Sequence, residues 1–519
     1  MSDMPDEAVV RFLREQGFKG VDPQAVATVT THISLLLIGG DTALKLKRPV
    51  RLPYADFSTP ELRLAACRSE VDLNRRTAPE LYRGVHRITR EADGAFALDG
   101  DGELVDAHVE MHRFDDASLL DRQAEAGTLD IALMGPLGAA IADFHQSLAP
   151  VARTGGAARM AGVLDVNEAA LATTDVFPAD EVSDFNRRFR AALSRLAPLL
   201  DQRAEDGKVR RGHGDLHLRN ICLIEGRPVL FDCLEFNEEL GTTDVFYDLA
   251  FLLMDLWHRR LFDHANLVMN RYLDLTGDEA GLPALPFFMA VRAAVRAHVG
   301  ATAAASGDGA STERAEARRY FDLAGELLEE RRSVLVAVGG LSGSGKSTVA
   351  RAVASGIGPA PGARTISSDR LRKRLFGVAP ETRLPATAYR PEVTATVYET
   401  LCAASAAVLG LGHAVVADAT FERRVDRDRI AAVAQEAKVP FVGLWLDVPA
   451  GELLRRVGAR TGDPSDATPD VVRRQLAQDH GDIAWMPVPG TGTPEAVAAR
   501  ARAIVGGADA EASGASSDT

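Results

Sequence analysis

Apolar residues near the start of the chain cluster in short runs that are typical of β-strands. Residues 26–50 contain two such runs around a Gly-Gly-Asp turn, VATVTTHISLLLIGGDTALKLKRPV, which predicts a hairpin. A second hairpin is predicted around DGAFALDGDGELVDAHVEM. Between the two lies a segment with helical periodicity, TPELRLAACRSEVDLNRR, in which Pro60 suits the first turn and Ser58 or Thr59 can be the N-cap. The chain then becomes mostly helical, so we expect an α+β fold in its N-terminal part.

The pattern changes near residue 330. The segment ATAAASGDGAST, residues 301–312, is small and polar, which predicts a loop or linker. A charged helical stretch follows and leads directly into SVLVAVGG, a short buried-strand pattern. We therefore predict two domains, 1–330 and 331–505. The tail, 506–519, has almost no large apolar residues and is predicted to be disordered.

Length and composition agree with this division. A single hydrophobic core stops growing at roughly 250–300 residues, and this chain has 519. Hydrophobic residues make up 46% and charged residues 25%, which are ordinary values for globular proteins, so general disorder and a coiled-coil rod are excluded. The formal net charge of -14 argues against a broad nucleic-acid surface and leaves small ligands as the expected partners.

The N-terminus and the cysteines narrow the class further. The first residues, MSDMPDEAVV, lack the basic and apolar regions of a signal peptide. No apolar run reaches the roughly 18 residues that span a bilayer, so we expect a cytoplasmic protein without a membrane segment. The four cysteines are scattered without a CxxC pair, which indicates neither a disulfide framework nor a zinc site. The sequence does not indicate an oligomeric state.

A phosphate-binding loop stands at the start of the second predicted domain. The stretch GLSGSGKS, residues 340–347, matches G-x-x-x-x-G-K-[ST] and lies between an apolar strand and a helix-compatible segment. Its glycines let the backbone curl so that N–H groups point at phosphates, at the positive end of the following helix. Lys346 would bridge the β- and γ-phosphates, and the Ser347 hydroxyl would bind Mg²⁺. The predicted nucleotide-binding residues are Gly340, Gly343, Gly345, Lys346, Ser347 and Thr348.

Two further segments place acidic residues after short strands. Asp418 ends the apolar run in GHAVVADAT, where a Walker-B-type carboxylate would lie near the metal; a turn aspartate at a strand end is the alternative. Asp369 follows a short strand in RTISSDRLRKRLFG, with Arg372 three residues later. Such a carboxylate can accept the proton of an acceptor hydroxyl, and the arginine can neutralise a phosphate. A simple helix N-cap is the competing interpretation of Asp369.

These segments resemble the small P-loop kinases of the gluconate kinase, zeta-toxin and polynucleotide kinase type. The resemblance rests on VGGLSGSGKST, SSDRLRKRLFG, VVADATFERR and LLRRVGARTGDPSDATPDVVRRQ and covers residues 331–505. It implies an α/β P-loop NTPase fold with a parallel sheet. It also implies that Asp369 and Arg372 serve as base and substrate anchor, and that Arg456 and Arg460 belong to a lid over ATP. It does not identify the acceptor.

A second set of catalytic residue types stands in HGDLHLRN, residues 213–220. Asp215 and Asn220 are five positions apart, as in the protein-kinase catalytic loop H-R-D-x-x-x-x-N. The chain continues as ICLIEGRPVLFDCLEF, a hairpin that presents Asp232. Two carboxylates and an amide at these separations can hold Mg²⁺ against phosphates while one carboxylate orients the attacking hydroxyl. The two histidines lack a third His or Cys at ligand spacing, so we interpret them as loop-shaping residues.

The N-terminal part resembles the aminoglycoside phosphotransferase family, which shares the protein-kinase-like α+β fold. HGDLHLRN matches the HGDLHxxN loop of that family, and TDVFYDLA matches its GDPxxDLA-type segment. The resemblance implies that Asp215 is the catalytic base and that Asn220 and Asp232 are Mg²⁺ ligands. Asp248 would be a buried brace that bonds the catalytic loop. Over nearly its full length the chain resembles the bifunctional aminoglycoside phosphotransferase/ATP-binding proteins of bacteria.

A kinase-like site also needs a lysine on the third strand and a glutamate on the next helix. In DTALKLKRPV, Ala43 and Lys45 share a strand face as in the V-A-I-K pattern, and Lys47 lies on that face too. We favour Lys45 as the phosphate lysine over Lys47. Glu70 in CRSEVDLNRR is the predicted partner, and a solvated surface glutamate is the other interpretation. The hinge that contacts adenine is predicted at HVEMHRF, residues 108–114.

Both parts of the chain are thus predicted to be ATP-dependent kinases. Each would use Mg²⁺ and transfer the γ-phosphoryl group of ATP to a hydroxyl of a small-molecule acceptor. In one alternative, one part is a nucleotide-sensing module that regulates the other. In another, the C-terminal part is a nucleic-acid-end kinase that binds oligonucleotides through Arg370, Arg372, Lys373 and Arg374. The helical segments show no clear acidic cluster for a polycationic antibiotic, so antibiotic resistance does not follow from the fold.

Overall fold

The chain separates into two compact units. The computed structural model describes residues 4–52, 55–152, 154–304, 310–379, 382–459 and 467–514. The first unit comprises Met1–Val166 and Leu193–Asp255, and the second comprises Asn167–Ala192 and Leu256–Thr519. The second unit thus contains helices that precede residue 330 as well as the phosphate-loop part. The functional boundaries 1–330 and 331–505 stay a prediction.

The strands and helices are numbered in chain order. The strands are β1 (Ala27–Thr30), β2 (Ser34–Gly39), β3 (Thr42–Lys47), β4 (Arg51–Leu52), β5 (Ala55–Asp56), β6 (Tyr82–Arg90), β7 (Phe96–Leu98), β8 (Glu103–His112), β9 (Pro150–Ala152), β10 (Val209–Arg211), β11 (Ile221–Ile224), β12 (Arg227–Leu230), β13 (Thr242–Asp244), β14 (Leu335–Gly339), β15 (Arg364–Ser367), β16 (Val415–Asp418), β17 (Phe441–Asp447) and β18 (Met486–Pro489). The helices are α1 (Glu7–Gln16), α2 (Pro60–Asn74), α3 (Leu120–Glu125), α4 (Met134–Ser147), α5 (Gly156–Leu171), α6 (Ala179–Glu205), α7 (Glu238–Gly241), α8 (Val245–His258), α9 (Phe262–Thr276), α10 (Leu285–Ala304), α11 (Ala310–Leu327), α12 (Lys346–Ala354), α13 (Ser368–Leu375), α14 (Pro391–Gly410), α15 (Arg424–Ala437), α16 (Ala450–Gly458), α17 (Pro469–Leu476) and α18 (Pro494–Gly514).

A six-stranded sheet in the order β1-β2-β3-β8-β6-β7 organises the first unit. β2 and β3 form the predicted hairpin, with Ser34 opposite Lys47. The apolar run before the turn is two strands rather than one, because β1 pairs antiparallel with β2. The second predicted hairpin is wrong: β7 and β8 both pair with β6, which lies between them. The sequence pattern missed β6 because most of its residues are half-buried, so apolar and polar positions do not alternate along it.

Successive side chains of β3 point to opposite faces of the sheet and so belong to two different hydrophobic cores. Leu44 packs with Leu13 of α1 on one face of the sheet. Ala43 packs on the opposite face, in the core that α2 forms with the sheet. Lys45 and Lys47 have the parity of Ala43, so both lysines are directed toward α2. Their ammonium groups therefore enter the buried side of the sheet, where Glu70 of α2 faces both of them.

The second unit contains a five-stranded sheet in the order β15-β16-β14-β17-β18, and every neighbouring pair is parallel. This confirms the predicted α/β fold with a parallel sheet. β14 is buried along its whole length, and its valines pack with α12 and α18. Because β14 and β16 are adjacent and parallel, their carboxyl ends meet at one edge. Gly339 there leads into the phosphate loop, and Asp418 ends β16.

Three local expectations fall at helix ends. The predicted cap of α2 is Thr59, whose hydroxyl accepts the N–H of Leu62 at 3.4 Å. The proposed linker at 301–312 includes the last residues of α10 and the first of α11, with residues 305–309 outside the described part. It therefore connects two helices of one unit rather than two domains. α18 continues through residue 514 of the tail that was predicted to be disordered, and residues 515–519 lie outside the described part.

Two helical segments are long and apolar enough to cross a membrane by length and composition alone, Glu279–Ala304 and Pro391–Gly410. The first is mostly buried inside the protein, as the core helices of globular proteins are. The four cysteines are free, and three of them are buried.

Gly443 on β17 offers a test of the packing in the second unit. A Cβ atom at this position would lie 2.4 Å from Cγ of Trp485, closer than any real contact. We expect Gly443→Ala to destabilise the protein by about 1–3 kcal/mol, because the indole ring is forced out of place. Gly451→Ala on α16 is the matched control, since no atom lies within 4 Å of its new methyl group. Thermal unfolding measures both; equal midpoints for the two variants would contradict this packing.

Candidate active sites

The first candidate site is built around Glu70, a fully buried residue of α2. Its two carboxylate oxygens pair with two different lysines: Lys45 Nζ lies 2.7 Å from Oε1, and Lys47 Nζ lies 2.6 Å from Oε2. Lys45 also contacts Asp232, with 2.6 Å between Nζ and Oδ1. Strand β3, helix α2 and the loop after β12 are therefore joined by one continuous set of ion pairs.

The two lysines of β3 differ in what they reach. Lys47 is fully buried, and its second partner is Glu235, which is buried as well. Lys45 instead extends to Asp232, whose side chain is 39% exposed and so faces solvent. This difference favours Lys45 as the group that meets phosphates. The sequence analysis missed Glu235, although a second lysine on the buried face of a strand requires a second carboxylate to balance it.

Ion pairing favours the charged forms of Lys45 and Glu70. Burial alone would lower the pKa of Lys45, but Asp232 and Glu70 raise that pKa well above its usual value. Burial would raise the pKa of Glu70, yet the two lysines outweigh it and lower that pKa. The positively charged form of Lys45 is therefore favoured in the folded protein, which suits its predicted contact with phosphates.

The loop HGDLHLRN is held from two sides. Asp248 is buried and accepts the backbone N–H groups of His213 at 2.7 Å and Gly214 at 2.9 Å, which is the predicted brace. Gly214 has a φ of 82°, a left-handed conformation that suits glycine. On the other side, His213 Nε2 lies 2.9 Å from the carbonyl oxygen of Phe231, one residue before Asp232. The loop is thereby tied to the hairpin that carries the predicted metal ligand.

Asp215 and Asn220 are in direct contact within the loop. Asn220 Nδ2 donates to Asp215 Oδ2 at 2.9 Å and to the Asp215 carbonyl oxygen at 2.9 Å. The Asp215 side chain is 42% exposed, as a group that receives an external hydroxyl must be. His217 accepts the N–H of Arg219 through Nδ1 at 3.3 Å, so it shapes the loop as expected. Within the described part of the chain, no group of three His, Cys, Asp or Glu residues is arranged to hold a metal ion.

The β11–β12 hairpin brings Asn220 and Asp232 to the same end of the site. The N–H of Phe231 donates to the carbonyl oxygen of Asn220 at 3.0 Å. Asp232 then has a φ of 63°, an uncommon conformation for a residue with a side chain, and its N–H donates to Tyr82 Oη at 3.2 Å. These constraints hold the carboxylate at the open end of the hairpin, where it meets Lys45.

The predicted hinge at 108–114 has fewer available backbone groups than expected. The N–H of His112 donates to the Leu81 carbonyl oxygen at 2.8 Å, and the N–H of Arg113 donates to the Asp41 carbonyl oxygen at 2.8 Å. Neither amide can bind adenine at the same time. Adenine contact through the other backbone groups of this segment stays a prediction.

The second candidate site lies where β14 and β16 end. Gly340, Gly343 and Gly345 have φ values of 139°, 88° and 91°, which residues with side chains rarely adopt. α12 begins directly afterwards, at Lys346, so its first N–H groups face the loop.

The predicted metal ligands of this site are in contact. Ser347 Oγ donates to Asp418 Oδ2 at 2.8 Å. A turn aspartate without a role in the site would not need this partner, so the contact favours the Walker-B interpretation of Asp418. Lys346 Nζ donates to the Leu341 carbonyl oxygen at 3.0 Å, which places its ammonium group over the loop.

A cleft of about 890 Å³ opens beside the phosphate loop, and both Asp369 and Arg372 line it. Ser367 is the N-cap residue of α13, so Asp369 in the first turn is not the cap. Arg372 is less open than a substrate anchor should be, because its side chain is buried and its Nη1 donates to the Ala388 carbonyl oxygen at 2.6 Å. Its guanidinium also stacks over the ring of Tyr389 at 4.8 Å. Arg372 thus lines the cleft and is also fixed in place by its contacts with Ala388 and Tyr389.

Arg456 lies beside a separate, smaller cleft of about 270 Å³. It belongs to α16 and donates to Glu452 at 2.7 Å and to the Gly490 carbonyl oxygen at 2.9 Å. Gly345 and Thr348 line the same cleft, so it adjoins the phosphate loop. Arg460, the other predicted lid residue, lies outside the described part of the chain.

Together, the folds and sites define the protein as an ATP-dependent kinase. The model of the phosphotransferase enzyme family matches residues 94–288, and the AAA domain model matches residues 335–479. Both matches correspond to kinase families, which use ATP and usually Mg²⁺. The predicted combination of an aminoglycoside-phosphotransferase-type domain with a P-loop kinase domain is thereby confirmed.

The relatives span nearly the whole chain. Uncharacterized proteins of Mycobacterium tuberculosis and Mycobacterium bovis are 31% identical over 461 residues, which is 86% of this chain and 89% of each relative. The chain therefore belongs to the same family as these mycobacterial proteins.

Solved structures similar to this chain include two kinases. A gluconokinase from Sinorhizobium meliloti 1021 is 23% identical, covers 33% of this chain and 91% of its own, and has a TM-score of 0.24. A choline/ethanolamine kinase family protein from Mesorhizobium loti is 14% identical, covers 60% of this chain and 90% of its own, and has a TM-score of 0.39.

The two lysines of β3 should respond differently to replacement. We expect Lys45→Met to weaken Mg·ATP binding at the first site by about tenfold or more, since a charge-assisted phosphate contact is lost. Lys47→Met should instead destabilise the protein by about 3–5 kcal/mol, because the buried Glu235 loses its partner. Nucleotide titration in a Lys346→Ala background and thermal unfolding separate the two effects. If Lys47→Met proved stable but unable to bind nucleotide, the assignment of Lys45 would be wrong.

Proposed function

We propose that the protein has two kinase sites, each of which transfers the γ-phosphoryl group of ATP to a hydroxyl of a small-molecule acceptor. One observation supports it above all: in each unit a lysine, oxygen-donor side chains and a further carboxylate lie close together, and these are the groups that a kinase site requires. A cytoplasmic location accompanies it, since both reactions depend on ATP.

In the first site, Asp215 acts as the base. Its half-exposed carboxylate receives the proton of the attacking hydroxyl, while Asn220 holds it in position. Mg²⁺ would be held by Asp232 and Asn220, two oxygen-donor residues that suit it, and when bound it neutralises charge on the phosphates. Lys45 exchanges its contact with Asp232 for the phosphates when the nucleotide enters. Glu70 keeps Lys45 in place during that exchange.

In the second site, Asp369 is the base at the start of α13 and faces the cleft. Lys346 neutralises the β- and γ-phosphates, and backbone N–H groups at the start of α12 add to it. Ser347 and Asp418 would hold Mg²⁺, and their contact at 2.8 Å places both oxygens on one side of the loop. Arg456 lies beside the smaller cleft, which we assign to the adenine and ribose of ATP.

The charge of the larger cleft favours an anionic acceptor at the second site. Arg383 and Arg390 line it, and neither side chain forms an ion pair with any residue in the described part of the chain. The carboxylates on its wall are those of Asp369, Asp418 and Glu422, and two of them are already assigned to catalysis and metal. A small hydroxylated compound with a carboxylate or phosphate group would neutralise the remaining arginines.

Replacing these arginines should weaken acceptor binding without altering ATP binding. For Arg383→Gln and Arg390→Gln we expect the KM of an anionic acceptor to rise about tenfold each, as a charge-assisted hydrogen bond is lost. Arg429→Gln on α15, outside the cleft, is the control. Initial rates at varied acceptor concentration measure the effect. An unchanged KM in both variants would rule out an anionic acceptor held here.

The two alternatives make different predictions. A regulatory module would bind nucleotide at one site without consuming it. A nucleic-acid-end kinase would bind oligonucleotides in a salt-sensitive way through Arg370, Arg372, Lys373 and Arg374. Of these four, Arg372 and Lys373 are buried and Arg370 is paired with Asp274, which leaves little of this cluster to meet a polyanion.

A screen with site-specific variants tests the proposed function. Sugars, sugar alcohols, sugar acids, aminoglycosides, nucleosides and oligonucleotides are tested for acceptor-dependent ADP release. We expect one acceptor class whose reaction is lost in Asp215→Asn and another whose reaction is lost in Lys346→Ala, with each loss about 100-fold or more.

The pattern of losses distinguishes the hypotheses. If both variants abolish the same reaction and no other reaction exists, two independent kinases are excluded. That result would support the hypothesis that one part of the chain regulates the other. If Asp215→Asn leaves every reaction intact, the first site is not a kinase.

A further inference from the structure

Helix α9 presents a row of polar side chains on one face. Asp263, Asn266, Asn270 and Asp274 follow one another at intervals of three and four residues, the spacing of a single helical face. Both asparagines are almost fully buried. α9 lies within the range matched by the phosphotransferase model, residues 94–288, yet all four side chains contact residues around or within the phosphate-loop part of the second unit.

The two asparagines of α9 form hydrogen bonds with backbone groups at the edge of the parallel sheet. β15 is the edge strand, and its outer backbone groups need partners. Asn270 Oδ1 accepts the N–H of Thr365 at 2.7 Å, and its Nδ2 donates to the Ala363 carbonyl oxygen at 3.1 Å. Asn266 Nδ2 donates to the carbonyl oxygens of Ala363 at 3.0 Å and Pro361 at 3.1 Å. The side chains of Asn266 and Asn270 therefore bond the start of β15 and the segment that precedes it.

The carboxylate of Asp274 extends this contact to the cleft. Its Oδ1 lies 2.7 Å from Arg364 Nη1, and its Oδ2 lies 2.7 Å from Arg370 Nη1. Arg364 is the first residue of β15 and also pairs with Glu279 at 3.0 Å. Arg370 directly follows Asp369, the proposed base, and both line the cleft. Asp274 thus forms ion pairs with both the start of β15 and the first turn of α13.

We propose that Asp274 is a positioning residue for the second kinase site. It does not line the cleft; it acts through Arg370, which it holds back against α9 so that α13 presents Asp369 to the acceptor. Asp274 is the sole carboxylate paired with Arg370 among the residues described. Without it, the guanidinium of Arg370 is free to pair with Asp369 or with the acceptor, and the base loses its orientation.

The inference also accounts for the fusion of the two parts of the chain. This role of Asp274 rests on the proposed function of the phosphate-loop site, because Asp369 acts as a base only if that site transfers a phosphoryl group. α9 comes from the segment of the other kinase, so the second site is complete only when that segment is present.

The chain offers a matched pair of variants for the test. Asp274→Asn removes the charge next to the cleft. Asp263→Asn removes a carboxylate at the other end of α9 that pairs with Arg502 at 3.0 Å and Ser355, away from the cleft. Asp274→Glu keeps the charge and serves as the rescue variant. All three are made in the full-length chain.

Hydrogen–deuterium exchange of residues 364–376 tests the positioning itself, with Mg·ATP as the only added ligand. We expect these amides to exchange about tenfold faster in Asp274→Asn than in the wild type. This factor corresponds to the weaker end of the range for the loss of a charge-assisted hydrogen bond. Asp263→Asn and Asp274→Glu should exchange like the wild type. Equal exchange in Asp274→Asn and the wild type would overturn the proposal, whether or not an acceptor is known.

Kinetics separate positioning from general damage. With an acceptor whose phosphorylation requires Lys346, Asp274→Asn should lower kcat about tenfold and leave the KM of ATP unchanged, because the base is misaligned, and Asp274→Glu should restore kcat. A rise in the KM of ATP, or the same effect in Asp263→Asn, would show a purely structural role. If no reaction requires Lys346, the proposed function fails, while the exchange experiment still decides the role of Asp274.

Discussion

A buried carboxylate must be neutralised by cations, and in the first unit this constraint centres on Glu70. Because its two oxygens meet Lys45 and Lys47, helix α2 cannot move away from β3 without exposing an unpaired charge. Each lysine also has a second partner: Lys45 pairs with Asp232, and Lys47 pairs with Glu235. Glu70, Lys45 and Asp232 are thereby held together by the chain's own side chains. Such preorganisation means that binding energy is not used to build the site.

The second unit handles phosphate charge in a different way. Its phosphate loop uses backbone N–H groups and the start of α12, with a single lysine, rather than a cluster of buried ion pairs. The proposed acceptor side lies next to β15, the edge strand of the sheet. α9 covers that edge through Asn266 and Asn270. The second site therefore depends on a helix that the chain supplies well before the phosphate loop.

Much of both sites could be predicted from the sequence because their residues are close together in the chain. Asp215 and Asn220, or Lys346 and Ser347, have a fixed spacing that the chemistry requires. Lys45 and Glu70 could be paired because a kinase-like site has a lysine on the third strand and a glutamate on the next helix. The parallel sheet was implied by the resemblance of the second part to the small P-loop kinases.

Long-range contacts are what the sequence did not reveal. The pairing of β7 with β6 instead of β8 depends on a strand without clear alternation. Glu235 pairs with a lysine that lies 188 positions away, and Asn270 bonds the backbone of a strand 95 positions later. No local spacing marks such contacts, since only the folded chain brings them together. The local spacing likewise did not show that Arg372, the predicted substrate anchor, contacts Ala388 and Tyr389.

The central claim is that one chain holds two separate ATP sites, and nucleotide stoichiometry tests it most directly. Isothermal titration calorimetry with a non-hydrolysable ATP analogue and Mg²⁺ should give two bound molecules per chain for the wild type and one for Lys346→Ala. A single bound molecule per wild-type chain at saturation would contradict the account.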